Sequence, residues 1–106
     1  MKIFIEDKDL QELIFSGASK KYKKASRDSR LLDALVRVYR VLSASDSVGA
    51  LPGFLHFEAL KYSYSGKYSL RILNGRIERL IVSLSEEDGV TVISILELST
   101  DHYGNG

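Results

Sequence analysis

The stretch Tyr68–Ser99, YSLRILNGRIERLIVSLSEEDGVTVISILELS, decides the fold. It contains three β-prone runs, YSLRIL, IERLIVSLS and VTVISILELS, and these are separated by NGR and EEDG, which are both signals for tight hairpins. The pattern predicts three consecutive antiparallel strands. Val90, Val92 and Ile95 indicate that the last of these strands is buried.

Two more strands are predicted upstream. KIFI, residues 2–5, is short and β-prone, and FLHFEALKY, residues 54–62, follows the Pro52–Gly53 turn signal. Alternation along residues 54–62 would place His56 and Glu58 on one face of the strand and Lys61 on the other.

Two helices are predicted between these strands. EDKDLQELIFSG, residues 6–17, has acids in its first turn, apolar residues at helical spacing and a glycine stop. Residues 27–44 form the clearest helix, and residues 18–26 are a polar connector that is either helical or loose. The buried stripe of the helix over residues 27–44 is predicted to comprise Leu31, Leu35, Val38, Tyr39 and Leu42. The order β-α-α-β-β-β-β predicts a single α+β domain over residues 1–106, with an N-terminal strand and two helices packed on a four-stranded antiparallel sheet.

Composition narrows the class of protein. The chain has 106 residues, of which 44% are hydrophobic and 27% charged, as expected of one globular domain. It has no cysteine, which excludes disulfides and thiolate zinc sites, and its two histidines, His56 and His102, offer little for a metal centre. No apolar run approaches the ~20 residues of a membrane span, and MKIFIEDKDL turns acidic too early for a signal peptide. A cytoplasmic protein is therefore expected.

The charges are segregated along the chain, although the net charge is only +1. Eight basic residues lie between Ala18 and Arg40, opposed only by Asp28 and Asp33, whereas the residues from Ser85 onward include five acids and no Lys or Arg. Such segregation can create a basic face for a polyanion. The alternative is an ordinary solvated helix surface followed by an acidic tail.

Residues 60–84 and 92–104 together resemble the RelE superfamily of bacterial toxins. The resemblance is strongest to the HigB branch, the plasmid-maintenance killer proteins, and it spans essentially the whole chain. Tyr62 stands where glycine is common, Leu73 and Asp101 each add one residue, and Glu58 replaces a histidine found in many HigB proteins. The matching positions are Leu60-Lys61, Gly66, Ser69-Leu70-Arg71-Ile72, Asn74, Arg79-Leu80-Ile81, Leu96-Glu97-Leu98-Ser99 and His102-Tyr103.

The resemblance implies an mRNA endonuclease that acts on the ribosome without metal or cofactor. In such an enzyme the 2′-hydroxyl of the RNA attacks the adjacent phosphate, which requires a proton acceptor, a phosphate clamp and a proton donor. Arg71 and Arg79 are the candidate clamp, and Lys61 is a further cation. The candidates for proton transfer are His102, Tyr103 and Glu58.

Each candidate has a structural alternative. Arg79 could pair with a carboxylate in the core, His102 could belong to a frayed tail, and His56 is more typical of a structural residue. Tyr62, Tyr64 and Tyr68 could stack on RNA bases or pack within the sheet. The candidate RNA-binding residues are Lys20, Lys21, Lys23, Lys24 and Lys67.

The expected partners are mRNA on the ribosome and a HigA-like antitoxin with a helix-turn-helix domain, with no membrane involved. Two other functions fit the same resemblance. One is a ParE-like inhibitor of DNA gyrase, which uses the fold to bind protein. The other is an inactive relative that serves as a binding protein.

Overall fold

A computed structural model describes residues 1–100 of the chain. The five strands form one sheet in the order β1-β5-β4-β3-β2, with β1 parallel to β5 and all other pairs antiparallel. This topology confirms the predicted α+β fold. The elements in chain order are β1 (Lys2–Ile5), α1 (Lys8–Ser16), α2 (Lys23–Ser26), α3 (Ser29–Ala44), β2 (Glu58–Ala59), β3 (Tyr68–Arg71), β4 (Arg79–Glu87) and β5 (Val90–Ser99).

The helices cover one face of the sheet and enclose the core with it. The buried stripe of α3 is close to the predicted one, except that Ala34 joins it and Tyr39 is only half buried, with its ring edge-on to Phe15. Leu70, Leu80 and Leu98 supply the core from β3, β4 and β5. The connector 18–26, predicted as helical or loose, contains the single turn α2.

Aspartates begin both long helices. The Asp7 carboxylate accepts hydrogen bonds from the backbone N–H groups of Asp9 and Leu10 at the start of α1, and the Asp28 carboxylate accepts one from Leu31 at the start of α3. An aspartate in this position contributes about 1 kcal/mol by satisfying N–H groups that have no partner within the helix. Both aspartates also have side-chain partners elsewhere, and those partners hold the helices against the sheet.

The predicted strand over residues 54–62 is wrong in its extent. Only Glu58–Ala59 is a strand, and it lies between two 3₁₀ turns, Gly53–Leu55 and Tyr62–Tyr64. His56 adopts a left-handed conformation (φ 49°, ψ 54°), which interrupts a strand. The predicted alternation of burial holds only near Leu55, which is buried between the exposed Phe54 and His56; Leu60 is buried although the pattern would place it on the face of His56.

Of the two predicted hairpins, EEDG is confirmed. NGR forms a turn, in which the Arg76 N–H donates to the Leu73 oxygen at 3.3 Å, but it is not a tight hairpin. Asp88 and Gly89 connect β4 to β5 with positive φ angles of 52° and 79°, as a tight two-residue hairpin turn requires. In contrast, β3 ends at Arg71 and β4 begins at Arg79, so NGR belongs to a seven-residue loop. This loop folds inward because Ile72 is buried in the core and Arg76 is bound by carboxylates.

Within residues 1–100, no helix is both long enough and apolar enough to cross a membrane.

Candidate functional site

Arg71 and Arg79 lie directly opposite each other where β3 and β4 end at the loop. Directly opposed residues in an antiparallel pair have their side chains on the same face, a few ångströms apart. Two like charges in this position destabilise a sheet. The local arrangement therefore has an electrostatic cost, which a bound anion would remove.

Neither arginine forms a salt bridge with a carboxylate of residues 1–100. The Arg79 Nη1 donates to the backbone oxygens of Arg76 and Glu78, at 2.7 and 2.9 Å. The Arg71 Nη1 donates to the Asn74 Oδ1 at 3.3 Å, and the buried Arg71 Nε has no partner among these residues. Within the described part of the chain, pairing with a core carboxylate therefore does not explain either arginine.

The two arginines share a polar face of the sheet with Glu58. Leu70 and Leu80, the neighbours of the arginines along β3 and β4, point into the core, so Arg71 and Arg79 lie on the face turned away from the helices. Glu58 is opposite Ser69, which is two residues from Arg71 on that same face. We call this surface the polar face. Its polar members are Glu58, Ser69, Arg71, Arg79, Glu97 and Ser99, and the fully buried Ile81 lies between Ser69 and Glu97.

Glu58 also has a histidine beside it. The His56 Nε2 lies 3.5 Å from the Glu58 Oε2, and both side chains are about half exposed. The sequence placed His56 on the same strand face as Glu58 and favoured a structural role for it. The structure replaces that strand by a turn, yet it keeps the two side chains adjacent because the left-handed His56 returns its ring towards the carboxylate.

Lys61 and Lys67 lie farther from the arginine pair. The chain from Glu58 to Leu60 runs alongside β3 from Ser69 back to Lys67, which is the direction away from Arg71. Lys61 is exposed and lies beyond that end of β2, and the Lys67 Nζ lies 5.6 Å above the Tyr64 ring. The structure therefore groups Glu58, Arg71 and Arg79, with both lysines along one flank.

The three candidate tyrosines have different surroundings. Tyr68 stacks on Phe57 with 4.9 Å between ring centroids, and it packs against the core. Tyr64 is covered by Lys67. Tyr62 is 79% exposed and is the one with its ring open to solvent.

Arg76 is the main feature of this region that the sequence did not reveal. Its Nη2 contacts the Asp28 Oδ2 at 2.7 Å and the Glu78 Oε2 at 2.8 Å, and its Nε donates to the Glu78 Oε1 at 3.0 Å. The hydrogen bond from Arg76 holds the pKa of Asp28 and the pKa of Glu78 below their ordinary values. This ion-pair cluster holds the β3–β4 loop against the start of α3. Because Arg71 and Arg79 lie at the two ends of that loop, the cluster also helps to position both arginines.

The four lysines between residues 20 and 24, which we call the lysine segment, lie at the side of the molecule where β5 ends. Lys20, Lys23 and Lys24 are exposed, whereas the Lys21 Nζ contacts the Asp7 Oδ2 at 2.9 Å. An open cleft of about 350 Å³ joins residues 21–25 to Leu98 and Thr100. The segment thus lies beside the carboxyl end of the strand that carries Ser99, the residue opposite Arg79.

His102 and Tyr103 lie outside the described residues, so their predicted roles stay predictions. Asn74, beside Arg71, and Glu97, on the polar face, were matched in the sequence motifs without a role. The signal for that face was the placement of the polar Glu97 and Ser99 on either side of the apolar Leu98. Within residues 1–100, no three His, Cys, Asp or Glu side chains come together as metal ligands would.

Solved structures share this fold, while no family model and no curated protein sequence matches the chain. A YoeB/ParE toxin from Agrobacterium tumefaciens has a TM-score of 0.58 and 16% identity, over 96% of this chain and 100% of that one. YoeB in the YoeB–YefM complex from Staphylococcus aureus has a TM-score of 0.56 and 23% identity, over 97% and 98%. YafQ from E. coli has a TM-score of 0.52 and 16% identity, over 94% and 92%. The chain therefore has the fold of these toxins.

Proposed function

We propose that this protein is the toxin of a type II toxin–antitoxin pair and cleaves mRNA on the ribosome. The observation that carries the proposal is the placement of Arg71 opposite Arg79, with no carboxylate of residues 1–100 paired to either. Fixed guanidinium groups that share one face suit a phosphate, because their N–H donors match its oxygens. The toxin fold and the motif resemblance support the same function.

The proposed reaction is attack by the RNA 2′-hydroxyl on the adjacent phosphorus. A bond forms between the 2′-oxygen and phosphorus, the bond from phosphorus to the 5′-oxygen breaks, and the products are a 2′,3′-cyclic phosphate and a 5′-hydroxyl. Arg71 and Arg79 would stabilise the charge that develops on the phosphate. Glu58, on the same face, would accept the 2′-hydroxyl proton.

The remaining candidates have supporting roles in this proposal. His102 and Tyr103 follow the strand that ends opposite Arg79, and one of them would protonate the leaving 5′-oxygen. Lys61 and Lys67 would bind the RNA backbone along the flank of the polar face.

We also propose an antitoxin partner. The staphylococcal structure with this fold is a YoeB–YefM complex, which supports a protein partner for this chain. The HigA-like helix-turn-helix type of that partner, the HigB branch, the single domain over residues 1–106 and the cytoplasmic location rest on the sequence resemblance and composition.

Induced expression tests the function directly. Wild-type protein should stop growth and shorten mRNAs to fragments with 5′-hydroxyl ends. Glu58→Gln should reduce cleavage by roughly 10²- to 10⁴-fold, the usual contribution of a general base. The control is Glu87→Gln, since Glu87 is an exposed carboxylate paired with Lys2 at the far end of β4. Growth arrest with DNA damage and intact mRNA would contradict the proposal.

Ribosome docking by the lysine segment is tested separately. Reversing the charge of Lys20, Lys23 and Lys24 should weaken binding to ribosomes and lower the slope of log affinity against log salt by up to about 3. Lys21 is left intact because it binds Asp7. Unchanged ribosome affinity and unchanged salt dependence would rule out this docking role.

A further inference from the structure

An open cleft of about 370 Å³ adjoins Glu58. It is lined by residues 48, 51–53 and 56–58. The strand pairing with β3 begins at Glu58, which lies opposite Ser69, and the preceding turn Gly53–Leu55 also contacts β3. The cleft therefore shares Glu58 with the polar face, and Glu58 lies opposite Ser69, two residues from Arg71. We call it the His56 cleft.

The lining of the His56 cleft combines flat apolar surfaces with polar edges. Leu51, Pro52 and Phe57 supply the apolar part, while His56 and Glu58 supply the polar part. Phe57 is held by its stack on Tyr68, so this wall is fixed before any ligand arrives. A planar heterocycle with hydrogen-bonding edges has the matching chemistry.

The backbone at His56 is held in a conformation that side chains rarely adopt. A φ of 49° for a residue other than glycine has an energetic cost, and such residues cluster at ligand sites. Here the left-handed turn directs an exposed imidazole to the edge of the cleft and keeps its Nε2 beside Glu58. An imidazole ring in this place can stack on a base.

Resting on the function proposed above, we propose that the His56 cleft binds the nucleobase of the nucleotide next to the scissile phosphate, with the base stacked on His56. This makes the cleft a site of sequence preference, whereas Arg71 and Arg79 bind any phosphate. The division follows the general rule that phosphate contacts position a nucleic acid and base contacts specify its sequence.

Two substitutions alter the cleft in opposite ways. His56→Asn removes the ring and retains a residue that tolerates positive φ. Gly53→Val partly fills the cleft, since a Cβ at Gly53 meets no atom within 4 Å. Gly49→Val is the matched control, because Gly49 does not line the cleft and a Cβ there makes only an ordinary contact with Ser47.

The probes are RNA tetranucleotides of adenosine, cytidine, guanosine or uridine with methylated 2′-hydroxyls, and an abasic tetranucleotide of the same charge. Methylation prevents cleavage, so that binding alone is measured. Wild-type protein should bind at least one sequence roughly 5- to 100-fold more tightly than the abasic chain, the range expected for one stacked base. His56→Asn and Gly53→Val should remove this difference without changing affinity for the abasic chain, while Gly49→Val should retain it.

The His56 cleft and the proposed function can fail independently. If both cleft variants keep the wild-type preference, or if Gly49→Val loses as much as Gly53→Val, the cleft does not bind a base, whatever happens to mRNA in cells. If the two cleft variants lose the preference but induced wild-type protein leaves mRNA intact, the nucleobase site stands and the cleavage function fails.

Discussion

Arg71, Arg76 and Arg79 lie within nine residues of one another along β3, the loop that follows it and β4, but their electrostatic surroundings differ. Arg76, in the loop, contacts the carboxylates of Asp28 and Glu78. Arg71 and Arg79, at the strand ends on either side of that loop, contact amide and backbone oxygens and no carboxylate of residues 1–100. The charge of Arg76 is neutralised within the fold, while the charges of the other two are available to a ligand.

The difference shows how one loop can serve both stability and binding. The Arg76 cluster fixes the loop to α3, and the fixed loop supplies the backbone oxygens that orient Arg79. An arginine held by neutral oxygens keeps its positive charge and loses little conformational freedom when an anion binds. Arg76 therefore affects the candidate site only by fixing the position of the loop, and not by binding a ligand.

The largest expected effect comes from removing one arginine of the pair. Arg79→Ala or Arg71→Ala should lower mRNA cleavage by roughly 10²- to 10³-fold, as the loss of one preorganised donor does in other active sites. Cleavage is measured from the rate at which 5′-hydroxyl ends appear. Lysine at either position should restore little, because it cannot reproduce the planar fork.

Thermal unfolding is the control for the arginine pair. Since like charges face each other at these positions, Arg71→Ala should be at least as stable as wild type, whereas Arg79→Ala also loses two hydrogen bonds to backbone oxygens and should be less stable than Arg71→Ala. A variant that cleaves at the wild-type rate would remove that arginine from the site.

The sequence was sufficient for the fold where periodicity and turn chemistry agree. In α3, the stripe from Leu31 to Leu42 could come only from a helix, and Asp88-Gly89 supplies the two positive φ angles of a tight hairpin. It was insufficient at residues 54–57 and at NGR. At residues 54–57 the strand pattern is interrupted by the left-handed His56, whose ring contacts Glu58 two residues on. At NGR the loop is held by Asp28, which is 48 residues away from Arg76 in the sequence.

The same limit applies to the site. Arg71 and Arg79 could be proposed from motifs, since their strands are consecutive and their register follows from the sheet. Whether they lacked carboxylate partners could not be derived, because it depends on where Asp28 and Glu78 point. Both carboxylates bind Arg76, 48 residues away from one of them along the chain and two from the other.

A smaller effect, on stability and not on chemistry, is expected at Arg76. Arg76→Ala should lower the unfolding temperature at pH 7 by more than Lys2→Ala, which breaks the exposed pair with Glu87. Cleavage should stay within about tenfold of wild type, well short of the loss expected from a missing phosphate-binding donor. A larger loss of cleavage in a folded variant would show that Arg76 contacts substrate.

The dependence on pH gives the Arg76 cluster a signature. Because Arg76 depresses the pKa of Asp28 and of Glu78 below their ordinary 3.8 and 4.5, the stabilisation is present above those values and is lost as the pH falls through the lower folded values. The difference in unfolding temperature between wild type and Arg76→Ala should therefore be constant near neutrality and shrink below about pH 4. A difference that does not change with pH would indicate lost packing alone.

The smallest expected effect concerns the hydrogen bond from the neutral Tyr22 hydroxyl to Asp7. It tests whether this bond stabilises the start of α1 as the charged Arg76 stabilises the start of α3 through Asp28. The Tyr22 hydroxyl donates to the Asp7 Oδ2 at 2.7 Å and accepts from the Leu98 N–H at 3.4 Å. Tyr22→Phe should reduce the free energy of unfolding at pH 7 by about 1 kcal/mol, as measured by chemical denaturation. Tyr39→Phe is the control, since the Tyr39 ring contact with Phe15 needs no hydroxyl.

For Tyr22 the sign of the pH dependence is the reverse of that for Asp28. Burial, and then the hydrogen bond to Asp7, raise the pKa of Tyr22 from 10.0 to about 12, so its contribution is complete below pH 10 and is lost as the pH rises towards 12. Wild type and Tyr22→Phe should therefore converge in stability at alkaline pH, whereas wild type and Arg76→Ala converge in acid. If the Tyr22→Phe difference does not shrink between pH 10 and pH 12, the hydroxyl is not what ties α1 to β5, and only the charged cluster at Arg76 secures a helix start to the sheet.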